Sequence, residues 1–143
     1  MSESNEPQFL DTNILIYAFD ASTDRKHEIA KALYEKLLVG NSGCTSLQIL
    51  QEFFVSAVYK SPKKLQISEA REIIQNLAAW PVHRPFADDI LAAIDLSVRY
   101  QISFWDSMVI RSARQTGCNI LWSEDLAHGQ EYDGVLVQNP FAA

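Results

Sequence analysis

Four carboxylates define the chemistry open to this sequence. Asp11 follows the short apolar run Gln8-Phe9-Leu10, and Glu52 lies in Leu50-Gln-Glu-Phe53. Asp106 lies in Ser103-Phe-Trp-Asp-Ser107, and Asp125 closes Trp122-Ser-Glu-Asp125. Brought together, such acids repel one another and must either protonate or be neutralised by a cation. His27, His83 and His128 are widely separated and none pairs at i, i+4 spacing, so the available ligands are oxygens. An oxygen-only set selects a hard cation, Mg²⁺ or Mn²⁺, that keeps several of its waters. A site of that kind generates hydroxide from bound water and clamps phosphate oxygens, which is metal-dependent phosphodiester hydrolysis.

Each acid also has an ordinary reading. Asp11, before Thr12-Asn13, can cap a turn or a helix, although carboxylates rarely lie inside apolar runs unless paired. Glu52 shares a helical stripe with Gln48 and Ser56, as a solvated face would. Asp106 can serve as an N-terminal helix charge, and Asp125, beside Glu124, can cap a turn. The signal is in the order and context of all four. A Gly-rich phosphate loop, a G-x-S-x-G elbow and a Cys–His signature are all missing from the sequence.

The elements that must position these acids follow from the apolar pattern. Gln8–Leu10 and Ile14–Tyr17 are short runs that periodicity alone assigns to neither strand nor buried helix. A helix runs from about Ser22, capped by Ser22 or Thr23, to Gly40, with Ile29, Ala30, Leu33 and Leu37 on one face. Gly43-Cys44-Thr45 reads as a strand, and Ser46 caps a helix with the stripe Ile49, Leu50, Phe53, Phe54, Ala57 and Val58. The chain breaks at Pro62, where Lys60, Lys63 and Lys64 cluster. Ser68 caps a third helix carrying Ala70, Ile73, Ile74, Leu77 and Ala78. Between Pro81 and Pro85 lies a short extended piece. A fourth helix carries Ala87, Ile90, Leu91, Ile94 and Val98, and a fifth runs from near Trp105 to Gly117. Residues 119–122 and 135–137 read as strands. Strands interleaved with helices predict an α/β fold with a mainly parallel sheet, in which strand C-terminal ends share one edge. Asp11 and Asp125 follow strands directly, and Glu52 follows one by about two helical turns, so distant acids can meet there.

Composition narrows the context. The 143 residues are 48% hydrophobic with five Gly and five Pro, a single globular domain rather than a disordered or low-complexity chain. No apolar run reaches the roughly 18 residues of a membrane span, and the polar, acidic start lacks a secretory signal. Cys44 and Cys118 are too few for a disulfide framework and read as buried hydrophobes of a cytoplasmic protein. Residues 1–7 read as a flexible tail. Twelve Lys and Arg against eighteen Asp and Glu give −6, which argues against a large basic nucleic-acid surface. With four acids committed to cations, the remainder is −6 + 4 = −2.

In this order the motifs resemble those of PIN-domain ribonucleases, and among them the toxins of bacterial VapBC-type toxin–antitoxin pairs. The resemblance extends from Phe9 to Phe141. Leu10-Asp-Thr-Asn-Ile-Leu-Ile-Tyr-Ala-Phe-Asp20 is similar to the first motif, and Leu47-Gln-Ile-Leu-Gln-Glu-Phe-Phe54 to the second. Ile102-Ser-Phe-Trp-Asp-Ser107 is similar to the third, Leu121-Trp-Ser-Glu-Asp-Leu126 to the fourth, and His128-Gly-Gln with Asn139-Pro-Phe141 to the subgroup's tail. The resemblance implies one three-layer α/β/α domain over residues 1–143 and Mg²⁺- or Mn²⁺-dependent endonucleolytic cleavage of RNA. Asp11, Glu52, Asp106 and Asp125 would serve as catalytic and metal-binding acids. Thr12, Asn13 and Ser123 would be orienting groups. It also implies a homodimer and a small antitoxin partner. Lys60, Lys63, Lys64, Arg111 and Arg114 are the candidate RNA-binding cations, or else a solvated loop and helix face. Two rival readings are a PIN-like module that binds RNA or protein without cutting, and another Mg²⁺-dependent phosphoesterase. Against the latter, Asp11-Thr-Asn lacks the second aspartate, two residues on, that an aspartyl-phosphate phosphatase needs.

Overall fold

The computed structural model describes residues 6–142; the tail expected at residues 1–7 therefore lies, for residues 1–5, outside the described residues. At the centre is Gln8–Leu10 (β1), buried along its whole length. On one side it pairs in parallel with Gly43–Ser46 (β2), which pairs in turn with Val82–His83 (β3). On the other side it pairs in parallel with Ile120–Trp122 (β4). Glu131–Tyr132 (β5) and Val135–Gln138 (β6) complete a sheet of order β3-β2-β1-β4-β6-β5, in which only the β5–β6 pair is antiparallel. The sheet grows outward from β1 first through β2 and β3, then returns to β4. The β1/β4 boundary is thus the topological switch point, where open parallel sheets bind their ligands.

Among the described residues six α-helices cover the sheet. Thr12–Ala18 (α1) packs against both Arg25–Gly40 (α2) and Leu47–Val55 (α3), α3 packs against Ile67–Leu77 (α4), and Ala87–Tyr100 (α5) packs against Phe104–Gln115 (α6). β2 touches both groups, through α2 and α3 and through α6, giving the expected α/β/α layering. Phe9, Ile14, Leu15, Ile49, Phe53, Ile110, Leu121 and Val137 are the fully buried centre of the core. Gly43 lets the Trp80 ring approach: an added Cβ there would lie 2.4–2.6 Å from ring atoms. Cys44 and Cys118 are buried free thiols, as expected. Among the described residues no helix is long and apolar enough to cross a membrane.

Several boundaries differ from the sequence expectation, each for a local reason. The ambiguous run Ile14–Tyr17 is helical because Asp11 caps it. Ser22 and Thr23 do not cap α2: they form a 3₁₀ turn whose own cap is Asp20, and Asn41, rather than Gly40, takes the left-handed conformation that ends α2. Ser46 caps α3 as expected. Ser68 does not cap α4, because Glu69 reaches back to the Gln66 N–H (3.0 Å) and starts the helix earlier. Ser103 caps α6. The stripe Ile90, Leu91, Ile94 and Val98 faces outward, while α5 buries Asp89, Ala93 and Leu96 instead.

Buried Asp89 explains that rotation. Its carboxylate accepts from the Phe86 N–H (2.8 Å) and the Arg111 Nε–H (2.8 Å), with His83 Nε2 at 3.3 Å. His83 Nδ1 lies 2.7 Å from Ser112 Oγ, so the network has the outline of a Ser–His–Asp triad. Ser112 is nevertheless closed inside α6, leaving no room for a substrate. The network keys β3, α5 and α6 together. Burial alone would raise the Asp89 pKa, but Phe86, Arg111 and His83 outweigh it and hold the carboxyl below the usual range. A depressed folded pKa means stabilisation that is present at neutral pH and lost as pH falls through the acidic range. Denaturant unfolding should show Asp89→Asn less stable than wild type by about 2–4 kcal/mol at pH 7. That gap should shrink below about pH 4.

Candidate active site

Asp11 stands at the end of β1, where its backbone N–H still extends the ladder by bonding Trp122 O (2.9 Å). The residue is 5% exposed, and each carboxylate oxygen accepts one hydrogen bond: Oδ1 from the Thr12 N–H (2.8 Å) and Oδ2 from the Ser123 hydroxyl (2.8 Å). Burial pushes its pKa up to about 6 against the relief of those bonds, with smaller upward pushes from Asp125 and Asp106. The helix-cap reading of Asp11 is met by Oδ1, which caps α1 at the Thr12 N–H. Ser123 Oγ also accepts from the Asp125 N–H (3.1 Å), so one buried hydroxyl sets two of the acids. Asp125 itself has a raised pKa, first from partial burial and then from Asp106, Glu124 and Glu52, partly offset by the Asn13 side chain.

The other two acids arrive on helices. Glu52 is gripped at Oε1 by the Thr12 hydroxyl (2.7 Å) and at Oε2 by the Gln48 amide (3.1 Å). Asp106 lies in the first turn of α6. Asp11 lies in the field of Asp125 and Asp106, and Asp125 in that of Asp106 and Glu52. Among the described residues, however, no three acidic, His or Cys side chains form a ready-made metal cage. The donor set fits a hydrated hard cation held partly through water, since Mg²⁺ keeps several of its waters. Asn13 Oδ1 and Gln48 Oε1 support that fit, being buried acceptors with no partner among the described residues.

A cleft of about 650 Å³ opens beside the acids, lined by Thr12, Asn13, Glu52 and Asp125 together with Tyr17, Asp20, Ser56 and Lys60. A π-helical turn at Ser56–Lys60 forms part of its wall. Such turns occur often at functional sites. Lys60 has no ion pair among the described residues and faces this cleft. The other candidate cations do not line it: Lys63 lies along a small neighbouring pocket and Lys64 bonds Ser61 O (3.3 Å). Arg111 is committed to Asp89, and Arg114 to the backbone and carboxylate of Asp133. Sequence reasoning missed Gln48, whose amide reads as an ordinary surface group. It also missed Tyr17, whose hydroxyl donates to Glu124 (2.7 Å) beside a Lys26–Glu124 ion pair.

The fold and this acidic crevice define an α/β protein with carboxylates gathered toward the C-terminal ends of its central strands. The PIN domain family model matches residues 9–130, and the chain belongs to that family. No curated protein matches it. Among solved structures it is similar to a toxin-antitoxin complex from Klebsiella pneumoniae, at 20% identity and TM-score 0.69, covering 95% of this chain and 99% of that one. It is also similar to Mycobacterium tuberculosis VapC20, titled a sarcin-ricin loop cleaving toxin, at 21% identity and TM-score 0.61, covering 82% and 89%.

Removing the buried charge should help the metal-free fold. With the Asp11 pKa at about 6 against an ordinary 3.8, Asp11→Asn should be at least as stable as wild type at pH 8 without divalent ions. The gain should be up to about 3 kcal/mol, read by denaturant unfolding.

Proposed function

We propose that the protein is a metal-dependent endoribonuclease toxin acting in the cytoplasm, hydrolysing RNA with Mg²⁺ or Mn²⁺ and restrained by an antitoxin. The observation that carries this reading is the buried, hydrogen-bonded Asp11 at the switch point, in the field of Asp106 and Asp125. Family membership and the similarity to a toxin-antitoxin complex and to a sarcin-ricin loop cleaving toxin support it. Asp11, Asp106 and Asp125 would hold the cation, with Glu52 close by. When bound, such a cation lowers the pKa of a coordinated water and draws charge from the scissile phosphate. Glu52, held by Thr12 and Gln48, orients the attacking water and takes its proton. Lys60 offers its charge to a phosphate of the strand in the cleft.

In-line attack by water leaves a 5′-phosphate and a 3′-hydroxyl. The competing route uses the ribose 2′-hydroxyl, commonly with a His pair, and leaves a 2′,3′-cyclic phosphate. The three histidines bond elsewhere: His27 to Tyr17 O, His83 in the Asp89 network, His128 to the Asn139 N–H. Incubation with total RNA and mapping of new ends should give EDTA-sensitive cleavage with 5′-phosphates, absent in Asp11→Asn. EDTA-resistant cyclic ends would refute the carboxylate–metal reading. RNA bound but uncut by the partner-free protein would assign a non-catalytic role.

The homodimer is proposed through α5. Its outward stripe includes Leu91 at 61% and Val98 at 67% exposure, an unusual apolar surface for a helix. The helix carries Asp88 in its first turn and Arg99 in its last, so two copies packed antiparallel about a two-fold bring opposite charges together. Light scattering should find a dimer for wild type and a monomer for Ile94→Glu, with the fold retained.

A further inference from the structure

Gln48 lies one helical turn before Glu52 on α3, with its Nε2 3.1 Å from Glu52 Oε2 and 3.3 Å from the carbonyl oxygen of Trp105. Both neighbours are acceptors. The amide orientation is therefore determined, because turning it over would set Oε1 against two oxygens. Trp105 immediately precedes Asp106, so this one side chain ties the acid of α3 to the start of the helix that carries the third acid. The orientation leaves Oε1 as a buried acceptor with no donor among the described residues. Leaving such an acceptor unpaired is costly, and native interiors do so rarely. Asn13, which lines the cleft with Glu52 and turns its amide nitrogen to Asp125, also has its Oδ1 buried with no donor among the described residues. A buried, unpaired amide oxygen on the side chain that holds Glu52, itself part of the cleft wall, points to water held there as part of the working site.

We infer that Gln48 is a positioning residue for the reaction: its Nε2 holds Glu52 toward α6, and its Oε1 accepts a hydrogen bond from the water that Glu52 orients. The inference rests on the nuclease reading above and extends it to a residue outside the four acids. Gln48 contributes no charge. Its role is to restrict Glu52 to one rotamer and the water to one orientation, as outer-shell groups do at metal sites.

The test uses the full chain, a labelled RNA oligonucleotide and Mn²⁺. Gln48→Met keeps the length of the side chain and removes both donor and acceptor. It should lower kcat roughly 10- to 100-fold and weaken Mn²⁺ binding by about 10-fold in an EPR titration. KM should change less than about 3-fold, since substrate grip is elsewhere. Gln48→Glu keeps the shape and an acceptor oxygen and adds charge. It should bind Mn²⁺ at least as tightly as wild type and still lose turnover, because the donor to Glu52 is gone. It also serves as the folded control should the Met variant misfold. Wild-type kcat in either variant, or a loss confined to KM, overturns the assignment of Gln48. Wild-type protein that neither takes up Mn²⁺ nor cuts RNA overturns the nuclease reading and this inference with it, a result distinguishable from an indifferent Gln48→Met beside an active wild type.

Discussion

The structure depends on keeping one carboxylate dry at the centre of its sheet. Asp11 ends β1 at 5% exposure, and an ionised carboxylate in such a place is costly unless its oxygens are fully bonded. Each accepts one bond, one from the first N–H of α1 and the other from Ser123 at the neighbouring strand's end. Those two bonds start α1, fix the loop after β4 and, through Ser123, hold the backbone of Asp125. The raised pKa shows that the compensation is incomplete. A positive charge in the crevice is the natural remedy.

Around that centre the remaining acids are placed by side chains from other elements. Thr12 follows Asp11 directly and reaches across to Glu52, so one turn of α1 serves two carboxylates. The α5–α6 pair, which delivers Asp106, is registered from behind by buried Asp89 with Arg111 and His83. The layers are thus locked by a few directional polar contacts inside an otherwise apolar core. Directional contacts specify geometry more sharply than apolar burial does.

Much of this was legible in the sequence, and the failures have physical causes. Asp11 and Asp125 stood out because strand ends are marked by apolar runs, and Ser46 announced its helix by its own side chain. The short run Ile14–Tyr17 was ambiguous because its fate depends on the cap supplied by Asp11. The α5 stripe had the period of a core face but faces outward, since Asp89 finds its partners inside; periodicity shows that a face is apolar and leaves open what covers it. The β5 strand, two residues long, is too short to leave a pattern. Gln48 and Tyr17 carry no signal of their contacts in the sequence because their partners, Trp105 and Glu124, lie 57 and 107 residues away. Arg111 and Arg114 were readable as free cations only while Asp89 and Asp133 were unplaced.

The two flanks of the sheet carry a further consequence. Each outer strand, β3 and β5, is two residues long, and β5 doubles back antiparallel on β6. A mainly parallel sheet with long bare margins would invite strands from neighbouring molecules to add on and grow into aggregates. Here an incoming chain would find only about two residues to pair with on either side. The acidic crevice at the strand ends can therefore stay open while the margins of the same sheet resist unwanted polymerisation.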